Sequence, residues 1–226
     1  MEKLLETIEI ETGKNPAASV IWMHGLGADG NDFVPIVNEL DLDGAPGIRF
    51  VFPHAPMRAV TINNGMVMRA WYDIALGDLE GNPRRADERG VRESQAQITA
   101  LIEREAKRGV EPEHIVLAGF SQGGAIALQT GLRHPRRLAG VMALSCYLPL
   151  AESLPREAAA ANRTTPIFMA HGIYDPLIPI VAAAGSMTLL TGSGYAVEWR
   201  QYPMPHSVCP EEIQDIGAWL QKVLKA

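Results

Sequence analysis

The segment from Ile115 to Leu132 constrains the fold more than any other part of the chain. A six-residue apolar run, Ile115–Phe120, leads into Gly119-Phe120-Ser121-Gln122-Gly123, and a helical pattern over Gly124–Leu132 follows at once. A chain that leaves a strand and enters a helix within one residue must reverse sharply, so the positions two before and two after the turn cannot carry bulky side chains. Glycine at 119 and 123 meets that demand. Ser121 is then held in a strained conformation with its Oγ toward solvent, and the backbone N–H of Gln122 stands beside it. A turn whose glycines serve only close packing, with Ser121 as a helix cap, would use the same residues; the rest of the chain has to separate the two.

Short apolar runs that end in Gly, Pro or His, each followed by a helix-like segment, recur along the sequence. The runs Ser19–His24, Ile48–Pro53, Ile115–Phe120, Gly140–Leu144 and Ile167–His171 predict five strands, and Ala196–Tyr202 a sixth. This alternation is that of an α/β fold: a mostly parallel central sheet whose strands are apolar on both sides because helices cover both faces. Val91–Arg108, with Ile98, Leu101 and Ile102 among charged positions and Gly109 behind it, predicts one surface helix. Pro210–Leu224 predicts a closing helix with Ile213, Ile216, Trp219, Leu220 and Val223 on one side. The stretch Ala55–Gly81, rich in Met, Gly and Asn, reads as irregular surface structure where ligand contacts concentrate. Parallel α/β sheets reach 226 residues as one unit, so a single domain over 1–226 is expected.

Composition excludes several functions. A formal charge of −6 offers no cationic field for nucleic acid or an anionic membrane surface, and the cluster Arg84-Arg85-Ala86-Asp87-Glu88-Arg89 mixes both signs. No apolar stretch is long enough to span a bilayer, and Met1–Ile10 carries four charges where a secretory signal needs an apolar core. Cys146 and Cys209 do not make a disulfide framework, which suits a reducing cytosol. The expected setting is cytoplasmic.

A serine hydroxyl near neutral pH needs an imidazole to take its proton, and the imidazole needs a carboxylate to fix its tautomer. In the α/β-hydrolase fold these follow in the order serine, acid, histidine. His206, in Tyr202-Pro203-Met204-Pro205-His206-Ser207, is the histidine that lies beyond the last predicted strand and before the closing helix. His171 closes a strand and His134 precedes Pro135, positions better suited to structural roles. The loop after Ile167–His171 holds a single carboxylate, Asp175 in Gly172-Ile173-Tyr174-Asp175-Pro176. The expected catalytic set is therefore Ser121, Asp175 and His206.

Acyl transfer places negative charge on the carbonyl oxygen, and each well-aimed donor contributes about 2.7–4 kcal/mol in a dry site. Gln122 N–H is one donor. The glycine-rich loop His24-Gly25-Leu26-Gly27-Ala28-Asp29-Gly30 follows the first predicted strand, and Leu26 N–H is assigned as the second. That loop has no lysine and fits neither the G-x-x-x-x-G-K-[ST] phosphate loop nor the dinucleotide fingerprint. His24 at its start reads as a support for the loop. The histidines and cysteines show no metal-ligand spacing, so no metal is expected.

These motifs resemble the phospholipase/carboxylesterase family of small α/β-hydrolases, which includes bacterial carboxylesterases and acyl-protein thioesterases. The likeness runs through Val20-Ile21-Trp22-Met23-His24-Gly25-Leu26-Gly27-Ala28-Asp29-Gly30, Pro53-His54-Ala55-Pro56, Val60-Thr61-Ile62-Asn63, Trp71-Tyr72-Asp73-Ile74, Gly119–Gly124, Ala143–Pro149, His171-Gly172 with Asp175, and Tyr202-Pro203-Met204 before His206. The resemblance implies a hydrolase without a large cap domain, cofactor-free and often a homodimer, acting on a small-molecule ester or thioester. It also implies that Ile74, Leu76, Leu79, Tyr147 and Leu177 border the acyl-binding groove. Pro205 stands where the family has glycine. Tyr147 and Ile173 stand where the thioesterase branch has tryptophan and aspartate. These departures favour a serine carboxylesterase for short- to medium-chain esters over the alternatives, an acyl-protein thioesterase or lysophospholipase. A non-catalytic ligand-binding module on the same scaffold is the competing reading of another class.

Overall fold

The computed structural model describes residues 4–75 and 87–225. Its strands are β1 (Thr7–Glu11), β2 (Ala18–Met23), β3 (Ile48–Pro53), β4 (Met57–Val60), β5 (Met66–Arg69), β6 (Ile115–Phe120), β7 (Gly140–Leu144), β8 (Ile167–Gly172) and β9 (Val197–Tyr202). The helices are α1 (Glu88–Lys107), α2 (Gln122–Gly131), the short α3 (Leu154–Glu157), α4 (Ile180–Gly192) and α5 (Pro210–Val223). Seven strands form one sheet in the order β1-β3-β2-β6-β7-β8-β9, while β4 and β5 form a separate hairpin. Only β1 runs antiparallel to its neighbour in the large sheet.

Period-two alternation within the strands divides the core. On β2, Ile21 and Met23 join α1, α2 and α4 through Leu101, Ile126 and Leu190. Val20 and Trp22 face the opposite way, toward Ile216, Trp219 and Leu220 of α5. Helices thus cover both faces, the α/β-hydrolase arrangement without a large cap among the described residues. From β2 the chain turns one way to β3 and later returns to place β6 on the other side. The carboxyl ends of β2 and β6 therefore flank a topological switch point, where α/β sheets open a crevice.

Three elements depart from the sequence expectation. The stretch expected to be irregular contains the β4–β5 hairpin, closed by Asn64 and Gly65 with φ of 56° and 75°. β1 adds an edge strand in the charged N-terminal segment. α4 forms from IVAAAGSMTLLTG, which has no charged face to mark a helical period. No helix among the described residues is long and apolar enough to cross a membrane.

Candidate active site

β6 ends at Phe120 and α2 begins at Gln122, which leaves Ser121 at the turn with φ 55° and ψ −122°. That conformation costs a residue with a Cβ on the order of 1–3 kcal/mol and persists only where the surroundings over-determine it. Here Ser121 N–H donates to Leu144 O at 2.8 Å and Ala125 N–H donates to Ser121 O at 3.1 Å. A Cβ on Gly123 would overlap Met23 O and lie 2.7 Å from His24 O, so α2 can start against the end of β2 only with glycine there.

Asp175 follows β8 and His206 follows β9. Because β8 and β9 are parallel neighbours, their following loops emerge side by side. The structure brings His206 Nδ1 within 2.6 Å of Asp175 Oδ2, and the Asp175 side chain is wholly buried. Asp175 Oδ1 accepts from Leu177 N–H at 2.8 Å and Ile178 N–H at 2.9 Å. Facing a carboxylate, Nδ1 of His206 carries the proton and Nε2 remains an acceptor. The ring of Phe120 packs 4.7 Å from the His206 ring.

His171, assigned from sequence to a structural role, also touches the acid. Its Nε2 lies 2.9 Å from Ile178 O and 3.3 Å from Asp175 Oδ2, so Nε2 must carry the proton. Burial pushes the His171 ring below its usual pKa and favours the neutral form. His134 serves a local turn, with Nδ1 2.8 Å from Arg136 O.

His24 braces the loop after β2. Its Nδ1 lies 2.7 Å from Gly25 O, and its Nε2 accepts from Ala55 N–H at 3.1 Å. Burial holds the ring down to about 4, so it stays neutral in the one tautomer that satisfies both partners. Gly27 N–H donates to Arg69 O at 2.9 Å and ties the loop to β5. Among the described residues, the N–H groups of Leu26 and Gln122 have no backbone acceptor. The Gln122 side chain, which sequence reasoning did not single out, accepts from Trp71 N–H at 3.0 Å and donates to Tyr72 O at 2.8 Å.

Leu26, Ser121, Gln122 and His206 line one cleft of about 340 Å³. Ile74, Tyr147 and Leu177 stand in its wall, whereas Leu76 and Leu79 lie outside the described residues. Ile62, Tyr72 and Phe120 also line it, and Tyr72 Oη is 3.1 Å from Tyr147 Oη. The motifs Val60–Asn63 and Trp71–Ile74 contained two of these residues but offered no local rule for their placement. Among the described residues, no group of three or more His, Cys, Asp or Glu side chains is placed to hold a metal ion.

A family model described as Phospholipase/Carboxylesterase matches residues 5–224. The chain belongs to this family. It is 35% identical over 239 residues to acyl-protein thioesterase 1 of Cryptococcus neoformans, covering all of both chains. It is 40% identical over 213 residues to acyl-protein thioesterase 1 of Gibberella zeae, covering 92% of this chain and 91% of that one. The crystal structure of Arabidopsis thaliana SOBER1 superposes with a TM-score of 0.84 at 31% identity, over 92% of this chain and 99% of that one. The chain is thus an ester hydrolase of the α/β-hydrolase superfamily. The branch that Tyr147 and Ile173 weighed against is the one whose name these two relatives carry.

Proposed function

We propose that Ser121 is the nucleophile, His206 the general base and Asp175 the residue that orients it, with Leu26 and Gln122 N–H groups as oxyanion donors, in hydrolysis of short- to medium-chain acyl esters and thioesters. The observation that carries this is the 2.6 Å contact between His206 and a buried Asp175 in a site that shares its cleft with Ser121. Ser121 Oγ forms a bond to the acyl carbon as its proton passes to His206 Nε2. The carbon–oxygen or carbon–sulfur bond then breaks, and the leaving alcohol or thiol takes that proton. Water, deprotonated by His206, attacks the acyl-enzyme; the carboxylic acid departs and Ser121 recovers its proton.

A cleft of about 340 Å³ sits near the small end of the ~300–1,000 Å³ range of small-molecule sites, which supports short to medium acyl groups. Likeness to proteins named acyl-protein thioesterase 1 supports a second reading, release of S-acyl groups from proteins. Turnover of p-nitrophenyl and S-acyl substrates of graded chain length tests both. Fluorophosphonate labelling of the wild type, and its loss together with turnover in Ser121→Ala, is the expected result. Unchanged turnover in that variant defeats the mechanism. A cytoplasmic homodimer is the setting we infer from the family resemblance.

A further inference from the structure

The cleft carries a charge that the reaction above does not use. Asp32, exposed in the loop after β2, lines it, and it is the one carboxylate among the described lining residues, which include no Lys or Arg. Its place along the wall follows from ring packing. Phe33 lies 5.6 Å from Phe120, and Phe120 lies 4.7 Å from His206, so the segment that carries Asp32 packs through Phe120 against the His206 ring. The leaving group must take its proton from His206 and so departs on that side. Asp32 is the charged group in the lining that a leaving group on that side can meet.

Neighbouring Asp29 is occupied, since Asn31 N–H and Nδ2 donate to it at 2.8 and 3.0 Å. Asp32 has no hydrogen bond or ion pair of its side chain to any described residue. Desolvation by the atoms of the cleft wall around its carboxyl, with repulsion from Asp29, pushes it above the usual value although the residue as a whole stays exposed. A carboxylate held in that state gains from any cation brought beside it and repels an anion.

We propose that Asp32 is a specificity-determining residue that favours substrates whose alcohol or thiol portion bears a positive charge, a role that rests on the Ser121 chemistry proposed above. A basic side chain next to an acylated residue of a peptide is one form such a leaving group takes; an amino alcohol is another.

The test compares choline butyrate with 3,3-dimethylbutyl butyrate, which has the same shape with carbon in place of the charged nitrogen. In the wild type at low salt, kcat/KM should favour the choline ester by roughly 3–10-fold, and added salt should shrink that preference. D32N should bring the ratio close to one and remove its salt dependence; D32K should invert it. A ratio that is the same in wild type, D32N and D32K overturns the proposal, even when both esters are hydrolysed. Hydrolysis of neither ester, with no fluorophosphonate labelling of Ser121, overturns the reaction itself and this proposal with it. A purely structural role for Asp32 would move both esters together and leave the ratio and its salt dependence intact.

Discussion

Gly172 and Met204 meet backbone to backbone: a Cβ on Gly172 would overlap the carbonyl oxygen of Met204, and that of Pro205 beside it. Tyr174 N–H donates to the same Met204 oxygen at 3.2 Å, and Ile173 N–H to Tyr202 O at 2.9 Å. The end of β8 thereby sets the height of the loop that carries His206. Gly172→Ala should push that loop away from the sheet. Misplacement by about an ångström costs up to ~100-fold in rate, and overpacking costs about 1–3 kcal/mol of stability. The expected outcome is a kcat for p-nitrophenyl butyrate lowered by roughly 10–100-fold with a smaller change in KM, read beside a thermal melt.

Asp175→Asn keeps an oxygen for the Leu177 and Ile178 N–H groups and so preserves the loop. Its amide would present N–H toward His206 Nδ1, forcing the proton to Nε2 and leaving no acceptor for the serine proton. Activity should fall by about 10⁴-fold while the melting temperature changes little. Ester turnover within tenfold of wild type would show that the carboxylate does not fix the tautomer.

Glu212, in the first turn of α5, is wholly buried. Burial pushes its carboxyl up to about 8 from an ordinary 4.5, with further repulsion from Asp215. Between those values the folded chain holds a proton that the unfolded chain has released, so stability falls as pH rises through this window. Thermal melts from pH 5 to 9 should show Glu212→Gln flattening that decline, by roughly 5 °C at the alkaline end. An identical slope in the variant would rule Glu212 out as its source.

Glu157 behaves in the opposite sense. Hydrogen bonds from Arg92, Arg133 and Ser153 outweigh partial burial and hold its carboxyl down to about 2. The stability this contributes is present above the ordinary value of 4.5 and is lost as pH falls toward 2. Glu157→Gln should therefore lower the melting temperature at pH 6 and narrow the difference between pH 6 and pH 3. Calorimetry at the two pH values measures it.

Legibility of the fold followed local pattern. The six predicted strands appear within a residue of their expected bounds, because short apolar runs closed by Gly, Pro, His or Ser carry their own punctuation. β1 was hidden because Thr7-Ile8-Glu9-Ile10-Glu11 alternates on a half-exposed edge and its charges suggest a solvated tail. The β4–β5 hairpin was readable in principle, since Asn-Gly between extended runs is a strong turn signal, but the methionines and glycines around it obscured the strands. In the cleft, Ile62 and Tyr72 meet Ile74 and Tyr147 only after folding, and no spacing in the sequence announces that.

By itself the sequence determined the turn at Ser121, the glycines that permit it, and the order in which Ser121, Asp175 and His206 occur. Those features depend on dihedral preferences and side-chain volume over a few residues, which local residue choice specifies. Tertiary structure alone decided that His206 reaches Asp175, that Gly172 abuts the loop of His206, and that Asp32 shares a wall with Phe120. Each of these depends on which strands lie side by side in the sheet, and that adjacency is set by packing across the whole core.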